Sequence, residues 1–305
     1  MKLDAVAEKL TASGVMEKPQ SVLIYGPPKS GKSTLAAQLS QKYNLIWIDI
    51  DKGGQVLFTA VPKEYWGKIE LIETIDTNAN PRAIKALITF FKQGMMHQGT
   101  VPLAFCERHG DINCAECRAI PPTFKVDPAK LTTDTVLVVD TLGRLGDSAI
   151  AHALGSAGDM VFKKKEYSHY DNQGLLLRTI LTMQQHQKYH RVFISHEEEL
   201  DHEDGSKKLT PRAGTRNFSR HVAGYFDHVV YCNVRNRKHT ISSLTTSDIK
   251  VQAGNRNNLD IKNVSDFLNI FSVKHIVDGK ASNFNFSHEA TEIEAEENQK
   301  AAVSE

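Results

Sequence analysis

The sequence is short of the features that mark several protein classes. No stretch of its 305 residues comes near the roughly 18 uncharged apolar residues of a membrane-spanning helix, so no membrane span is expected. The opening MKLDAVAEKL places Asp4 and Glu8 where a secretory signal would be apolar, which points to a reducing cytoplasm. There are only four cysteines, and three of them (Cys106, Cys114, Cys117) crowd together while Cys232 stands apart, which is no disulfide framework. Formal charge is +1, and mean hydropathy, −0.36, is ordinary for a folded domain. The near-neutral total hides an uneven distribution. Beyond Ser287 there are six glutamates (Glu289, Glu292, Glu294, Glu296, Glu297, Glu305) against Lys300, which leaves the rest of the chain basic. Residues 276–305 read as a disordered acidic tail, either solvating the protein or docking on a basic partner, and residues 1–19 as an N-terminal segment with a short amphipathic helix at 3–12.

Between these ends the chain alternates short apolar runs with helical patterns. Ser21–Tyr25, Asn44–Ile50, Lys68–Thr74, Thr135–Asp140, His190–Ser195 and Phe226–Cys232 read as strands. Residues 32–41, 81–93 and 172–188 read as helices, with Pro81 suited to a first turn. Apolar strands separated by helices imply an α/β fold, a mostly parallel sheet covered on both faces. No internal repeat is present.

Gly26-Pro27-Pro28-Lys29-Ser30-Gly31-Lys32-Ser33, followed by Thr34, fits G-x-x-x-x-G-K-[ST] between a strand and a helix. Glycines let backbone amides converge on phosphate oxygens, and the following helix turns its positive end to the same anion. Lys32 then neutralises β- and γ-phosphate charge, and the Ser33 hydroxyl ligates Mg²⁺. Asp140 ends an apolar strand, VLVVD, and suits the same Mg²⁺ shell, since a buried unpaired carboxylate is otherwise costly. Asp49 and Asp51 are expected on one side of a strand, with Asp51 the better candidate for orienting water and an acidic loop start the alternative. His196, at the expected end of RVFIS, is placed to contact a γ-phosphate or to serve structurally.

IYGPPKSGKST, IWIDIDKGG, VLVVDTLGRL, GLLLRTILTMQQ, VFISHEEE and TPRAGTRNFSRHVAGYFDHVVYCNVRNRK occur in an order that resembles the RecA-type recombinase ATPase core. More closely, the chain resembles the short phage RecA-core proteins of the Sak group, which act in single-strand annealing. The likeness covers about residues 20–275 and implies a P-loop NTPase domain of RecA type. It also implies an ATP- and Mg²⁺-dependent activity, single-stranded DNA as partner, and a homo-oligomer, ring or filament. Asp51 stands where the family carries a catalytic Glu, and His196 stands where it carries a sensor Gln. The first DNA loop falls on residues 162–170 and the second on 197–214, with trans-acting basic residues near Arg235, Arg237 or Lys238.

The residues themselves give the first loop some support. Lys163, Lys164 and Lys165 beside Tyr167 and Tyr170 combine phosphate attraction with stacking faces, although a solvated basic loop fits equally. The second loop begins with Glu197, Glu198, Glu199, Asp201, Glu203 and Asp204, which repel a phosphate backbone unless a cation or a basic partner covers them. DNA contact is therefore expected from 207–220, including Arg212, Arg216 and Arg220.

Cys106, His109, Cys114 and Cys117 form C-x₂-H-x₄-C-x₂-C within an insert at about 101–122. The spacing suits a closed, structural Zn²⁺ knuckle, with three free thiols in a loop as the alternative; zinc supplies such inserts with folding energy on the order of 10 kcal/mol. Two further functions remain open: an ATP-gated helicase loader or assembly factor working with a single-strand-binding protein, and a small-molecule kinase, which lacks an evident arginine-rich lid.

Overall fold

The computed structural model describes residues 18–74, 76–77, 80–96, 99–112, 114, 117, 124–155, 165–201, 207–236, 238–243, 251–255 and 260–271. The helix expected at 3–12 and the acidic tail lie outside the described residues, as do Lys163, Lys164, Glu203, Asp204 and Arg237.

The chain runs β1 (Ser21–Gly26), α1 (Lys32–Ala37), β2 (Asn44–Asp49), α2 (Val56–Ala60), β3 (Ile69–Glu73), α3 (Arg82–Gly94), β4 (Leu103–Phe105) and β5 (Phe124–Val126). It continues with β6 (Thr135–Asp140), α4 (Leu142–Leu154), α5 (Tyr167–Gln184), β7 (His190–Asp201), β8 (Lys207–Pro211), α6 (Arg216–His221), β9 (His228–Arg235), β10 (Lys238–Ser242), β11 (Gly254–Asn255) and α7 (Val264–Phe267). The main sheet has the order β10-β9-β1-β7-β6-β2-β3, with β8 on β7 and β11 on β9. From β9 to β3 every pairing is parallel, while β10 and β11 run antiparallel to β9.

The apolar strands are explained by the two faces they serve. Leu23, Tyr25, Ile46, Ile48, Leu137, Val139 and Phe193 pack on one face, against α3, α4 and α5. Their neighbours Val22, Ile24, Trp47, Val136, Val138, Val192 and Ile194 pack on the other, with Leu35 of α1 and the segment bearing Phe267 and Phe271. Since alternate strand residues point to opposite faces, only a sheet covered twice keeps both sets dry.

Several boundaries differ from those the sequence implies. The helix expected at 172–188 is α5, which starts five residues earlier, because His169 Nδ1 accepts the Glu166 amide at 2.9 Å and secures the first turn. Tyr167 and Tyr170 therefore sit on a helix rather than in a loop. Strand β7 does not end before His196. It continues to Asp201, because β8 pairs with it in a ribbon running from Glu197↔Pro211 to Asp201↔Lys207. Asp51 does not share β2 with Asp49, which is that strand's last residue. The final parallel strand, β9, lies at 228–235 rather than 226–232.

His190, at the start of β7, is fully buried and stacks on Phe271 with ring centroids 3.9 Å apart. Its Nδ1 accepts the Gln20 amide at 3.1 Å. Burial, assisted by the charge of Arg191 and by His228, holds its pKa down at about 3. An unfolded imidazole titrates near 6.5. Between those values the unfolded chain binds the extra proton, so stability present above about pH 6.5 is lost as pH falls. Thermal unfolding midpoints should drop from pH 7 to pH 5, and less steeply in His190→Asn. Parallel profiles for the two proteins would remove His190 as a source of acid sensitivity.

Candidate nucleotide site

The C-terminal edge of the parallel strands gathers the candidate residues into one cleft of about 370 Å³. Lys29, Gly31, Lys32, Ser33, Thr34, Asp51, Asp140, Ile194 and His196 line it. Gly26 ends β1 so close to β9 that a Cβ there would lie 1.9 Å from the Cys232 carbonyl oxygen. Only glycine lets the chain leave the sheet at this point. Gly31 takes φ +87°, and the helix α1 begins at the next residue, so the loop's amides and the helix N-terminus converge.

Lys32 is 5% exposed, and its Nζ donates to the carbonyls of Gly26 (3.0 Å) and Pro27 (2.6 Å) and to Ser30 Oγ (3.4 Å). Burial lowers its pKa, while Cys232, Asp140 and Glu197 act in the other direction. Ser33 Oγ donates to Asp140 Oδ2 at 2.8 Å. Asp140 is 4% exposed. Burial raises its carboxyl pKa to about 7; Asp49 and Asp51 push the same way, whereas the Ser33 hydroxyl and Lys32 pull against them. A buried carboxylate set against a hydroxyl and crowded by two like charges is a hard oxygen donor set that a divalent cation relieves. Ser33 and Asp140 therefore fit Mg²⁺, whose chemistry is to neutralise phosphate charge.

The two acidic candidates of the second strand separate cleanly. Asp49 is buried and consumed by its own loop: its carboxylate accepts the amides of Asp51 (3.1 Å), Gly53 (3.1 Å) and Gly54 (2.6 Å). Asp51 faces the cleft. Its carboxylate accepts from Arg144 Nε at 2.8 Å and lies 3.9 Å from His196 Nε2. Desolvation lowers the His196 pKa, with Lys32 adding to the effect and Asp51 opposing it.

Two residues, Arg144 beside the cleft and His239 within it, were not marked by the sequence. Arg144 enters because Thr141 caps α4, its hydroxyl accepting the Arg144 amide at 3.4 Å and fixing the first turn beside Asp51. A Thr after the Asp of VLVVD is a readable cap signal. His239 arrives on β10, and its Nδ1 lies 3.0 Å from the Ser30 carbonyl oxygen. No sequence pattern announces it, since β10 is brought there by pairing with β9.

The residues expected at nucleic acid are partly assembled elsewhere. Tyr167 and Tyr170 on α5 and Phe218 and His221 on α6 line one groove of about 580 Å³, with Arg178 and Tyr225. Tyr167 is 82% exposed. Lys165 is exposed just before α5. Arg212, Arg216 and Arg220 follow β8 but are engaged within the chain: Arg212 lies 3.9 Å from the Asp147 carboxylate, Arg216 3.7 Å from the Glu198 carboxylate, and Arg220 Nη2 donates to the Asp201 backbone carbonyl at 2.9 Å. Lys207 and Glu199 pair at 2.8 Å across the ribbon. Of the acidic cluster, Glu198 and Glu199 thus find basic partners within their own chain. The cysteine cluster is a third place apart, with the ligand atoms of Cys106, His109, Cys114 and Cys117 all within 4.8 Å of one another.

Among the described residues no helix is long and apolar enough to cross a membrane. No curated protein sequence matches the chain. Its structure is similar to a prototypical ATPase from the type III secretion system of pathogenic bacteria, at 13% identity and a TM-score of 0.40, over 70% of this chain and 52% of that one. It is also similar to the assembled ATPase EscN of enteropathogenic E. coli in complex with its central stalk EscO, at 12% identity and a TM-score of 0.37, over 70% and 42%. EscN assembled, in a second structure, gives 14% and 0.37, over 70% and 43%. The chain therefore spans about half the length of these proteins or less. The AAA domain family profile matches residues 18–263, which holds the whole sheet and the cleft. The chain belongs to the AAA domain family and is a P-loop, ATP-binding protein.

Proposed function

We propose that this protein is a Mg²⁺-dependent ATPase that binds single-stranded DNA and promotes annealing or strand exchange in DNA recombination, working as a homo-oligomer. The observation that carries the first half is the gathering of Lys32, Ser33, Asp140 and Asp51 around one cleft, with Ser33 hydrogen-bonded to Asp140. On this reading the amides of the loop from Gly26 to Ser33 and the Lys32 ammonium receive the β- and γ-phosphates. Asp51, held by Arg144, orients the attacking water, and His196 registers the γ-phosphate. Lys32 must exchange the Gly26 and Pro27 carbonyls for phosphate oxygens when nucleotide enters.

The second half is supported by the groove between α5 and α6. Exposed Tyr167 and half-exposed Tyr170 offer stacking faces beside Arg178 and His221, a combination that suits bases without regard to sequence. The groove is linked to the cleft by covalent structure. His196 opens the β7–β8 ribbon, the Arg212 amide returns to the His196 carbonyl at 2.8 Å, and α6 follows. A movement of His196 on contact with phosphate is thereby passed to the groove. Arg216 and Arg220 join the DNA surface only by leaving Glu198 and Asp201, so these arginines are expected to contribute when nucleotide shifts the ribbon.

ATP turnover by wild type and Lys32→Ala, each with and without single-stranded DNA, tests the first half. Wild type should hydrolyse ATP faster with DNA, and Lys32→Ala should lose basal and stimulated turnover alike, by about a hundredfold or more. Equal rates in the two proteins would discard the site. Turnover indifferent to DNA, with retention of a single-strand-binding protein instead, would favour an assembly factor.

DNA affinity tests the groove separately. Tyr167→Ala with Tyr170→Ala should weaken single-stranded DNA binding by about tenfold or more, with ATP affinity kept, since a base stacked on an aromatic ring contributes about 1–3 kcal/mol. Binding should also fall steeply with salt. Undiminished binding by the double variant would place the strand elsewhere.

A further inference from the structure

Nothing in the nucleotide cleft or the groove accounts for the cluster in the crossover between α3 and β6. We propose that Cys106, His109, Cys114 and Cys117 form a closed Zn²⁺ site that staples this crossover to the end of β3. The proposal is independent of any reading of the ATPase.

The donors are already arranged for a tetrahedral ion. His109 Nδ1 lies 3.4 Å from Cys114 Sγ and 3.3 Å from Cys117 Sγ, and all four donor atoms lie within 4.8 Å of one another. A zinc ion with Zn–S about 2.3 Å and Zn–N about 2.0 Å sets its ligands roughly 3.5–3.8 Å apart. Three thiols and an imidazole are soft and borderline donors, which select Zn²⁺ over the Mg²⁺ of the nucleotide cleft. Four protein donors leave no position for water, so the site is structural rather than catalytic.

The backbone is shaped around one of the sulfurs. Cys106 Sγ accepts the His109 amide at 3.2 Å, the Cys106 carbonyl accepts the Gly110 amide at 2.9 Å, and the Asp111 carbonyl accepts the Cys106 amide at 3.0 Å. Amide contacts of this kind orient a thiolate toward its metal. Among the described residues the three cysteines form a buried cluster separate from both cores of the sheet, with no other buried hydrophobic residue in it.

The turn between the ligand pairs is what meets the ATPase domain. Gly110 has φ +61°, and a Cβ there would stand 2.3 Å from the Glu73 carbonyl oxygen, so this turn presses directly on the last residue of β3. Arg82 at the start of α3 lies 3.6 Å from Asp111. Phe105, next to the first ligand, is buried against Phe90 and Phe124. Beyond β3 the Thr74 amide donates to the Asp49 carbonyl at 2.8 Å. The staple therefore firms the edge strand next to the loop that carries Asp51.

The full-length protein, purified without chelator, should carry one zinc per chain by elemental analysis. Co²⁺ exchanged for it should give the visible d–d and sulfur-to-cobalt bands of a tetrahedral thiolate site. Lys32→Ala should keep the metal, and Cys114→Ser with Cys117→Ser should lose it. Should that variant fail to fold, thiol modification of wild type decides the matter: three thiols should be shielded until a strong chelator is added. Protein that neither holds zinc nor takes up Co²⁺ in stoichiometric amount overturns the site. So do thiols that react equally before and after chelation, a disulfide among these cysteines under reducing purification, or a cysteine variant that keeps its metal.

Discussion

A carboxylate and an ammonium, both withdrawn from water at the C-terminal edge of one sheet, constrain everything around them. Asp140 and Lys32 are almost fully buried, and neither is satisfied by a direct ion pair with the other. Lys32 rests on backbone carbonyls and Asp140 on the Ser33 hydroxyl, with Asp49 and Asp51 raising the charge density further. Buried charges so poorly neutralised are costly, and folds keep them where a ligand of opposite charge completes them. On the proposed function, a polyphosphate for Lys32 and a cation for Asp140 are that completion. The surrounding structure follows from holding these groups still: parallel strands covered on both faces, glycine at the close approach of β1 to β9, and an Asp49 spent wholly on its own turn.

Around this centre the acidic and basic stretches of the sequence find each other. Glu197 to Asp201 looked hostile to nucleic acid, and the arginines after Lys207 looked free to bind it. The β7–β8 ribbon folds one onto the other, pairing Lys207 with Glu199 and bringing Arg216 toward Glu198. These are largely exposed contacts, screened by water and individually weak. On the proposed function, they are weak enough for a phosphate backbone to displace, and the ribbon tied to His196 couples nucleotide to DNA.

Much of the fold was legible because it rests on local pattern. The central strands are apolar on consecutive residues, which marks burial on both faces, and the loop from Gly26 to Ser33 sits between a strand and a helix as its chemistry requires. What escaped the sequence depends on long-range pairing. The continuation of β7 past His196 needs β8 as a partner, and His239 reaches the Ser30 carbonyl only because β10 lies beside β9. Asp49 and Asp51 could not be told apart by spacing, since their difference lies in which amides turn back onto which carboxylate. The start of α5 was missed because His169 caps it from within, an arrangement no simple cap rule supplies.

The central claim is that residues 26–33 cradle a triphosphate while Ser33 and Asp140 hold its magnesium. A crystal structure with a non-hydrolysable ATP analogue and Mg²⁺ tests it most directly. The account predicts that the Lys32 ammonium leaves the Gly26 and Pro27 carbonyls for the β- and γ-phosphates, with the metal between Ser33 and Asp140. An analogue bound elsewhere, or a Lys32 still fastened to those carbonyls with the nucleotide present, would contradict it.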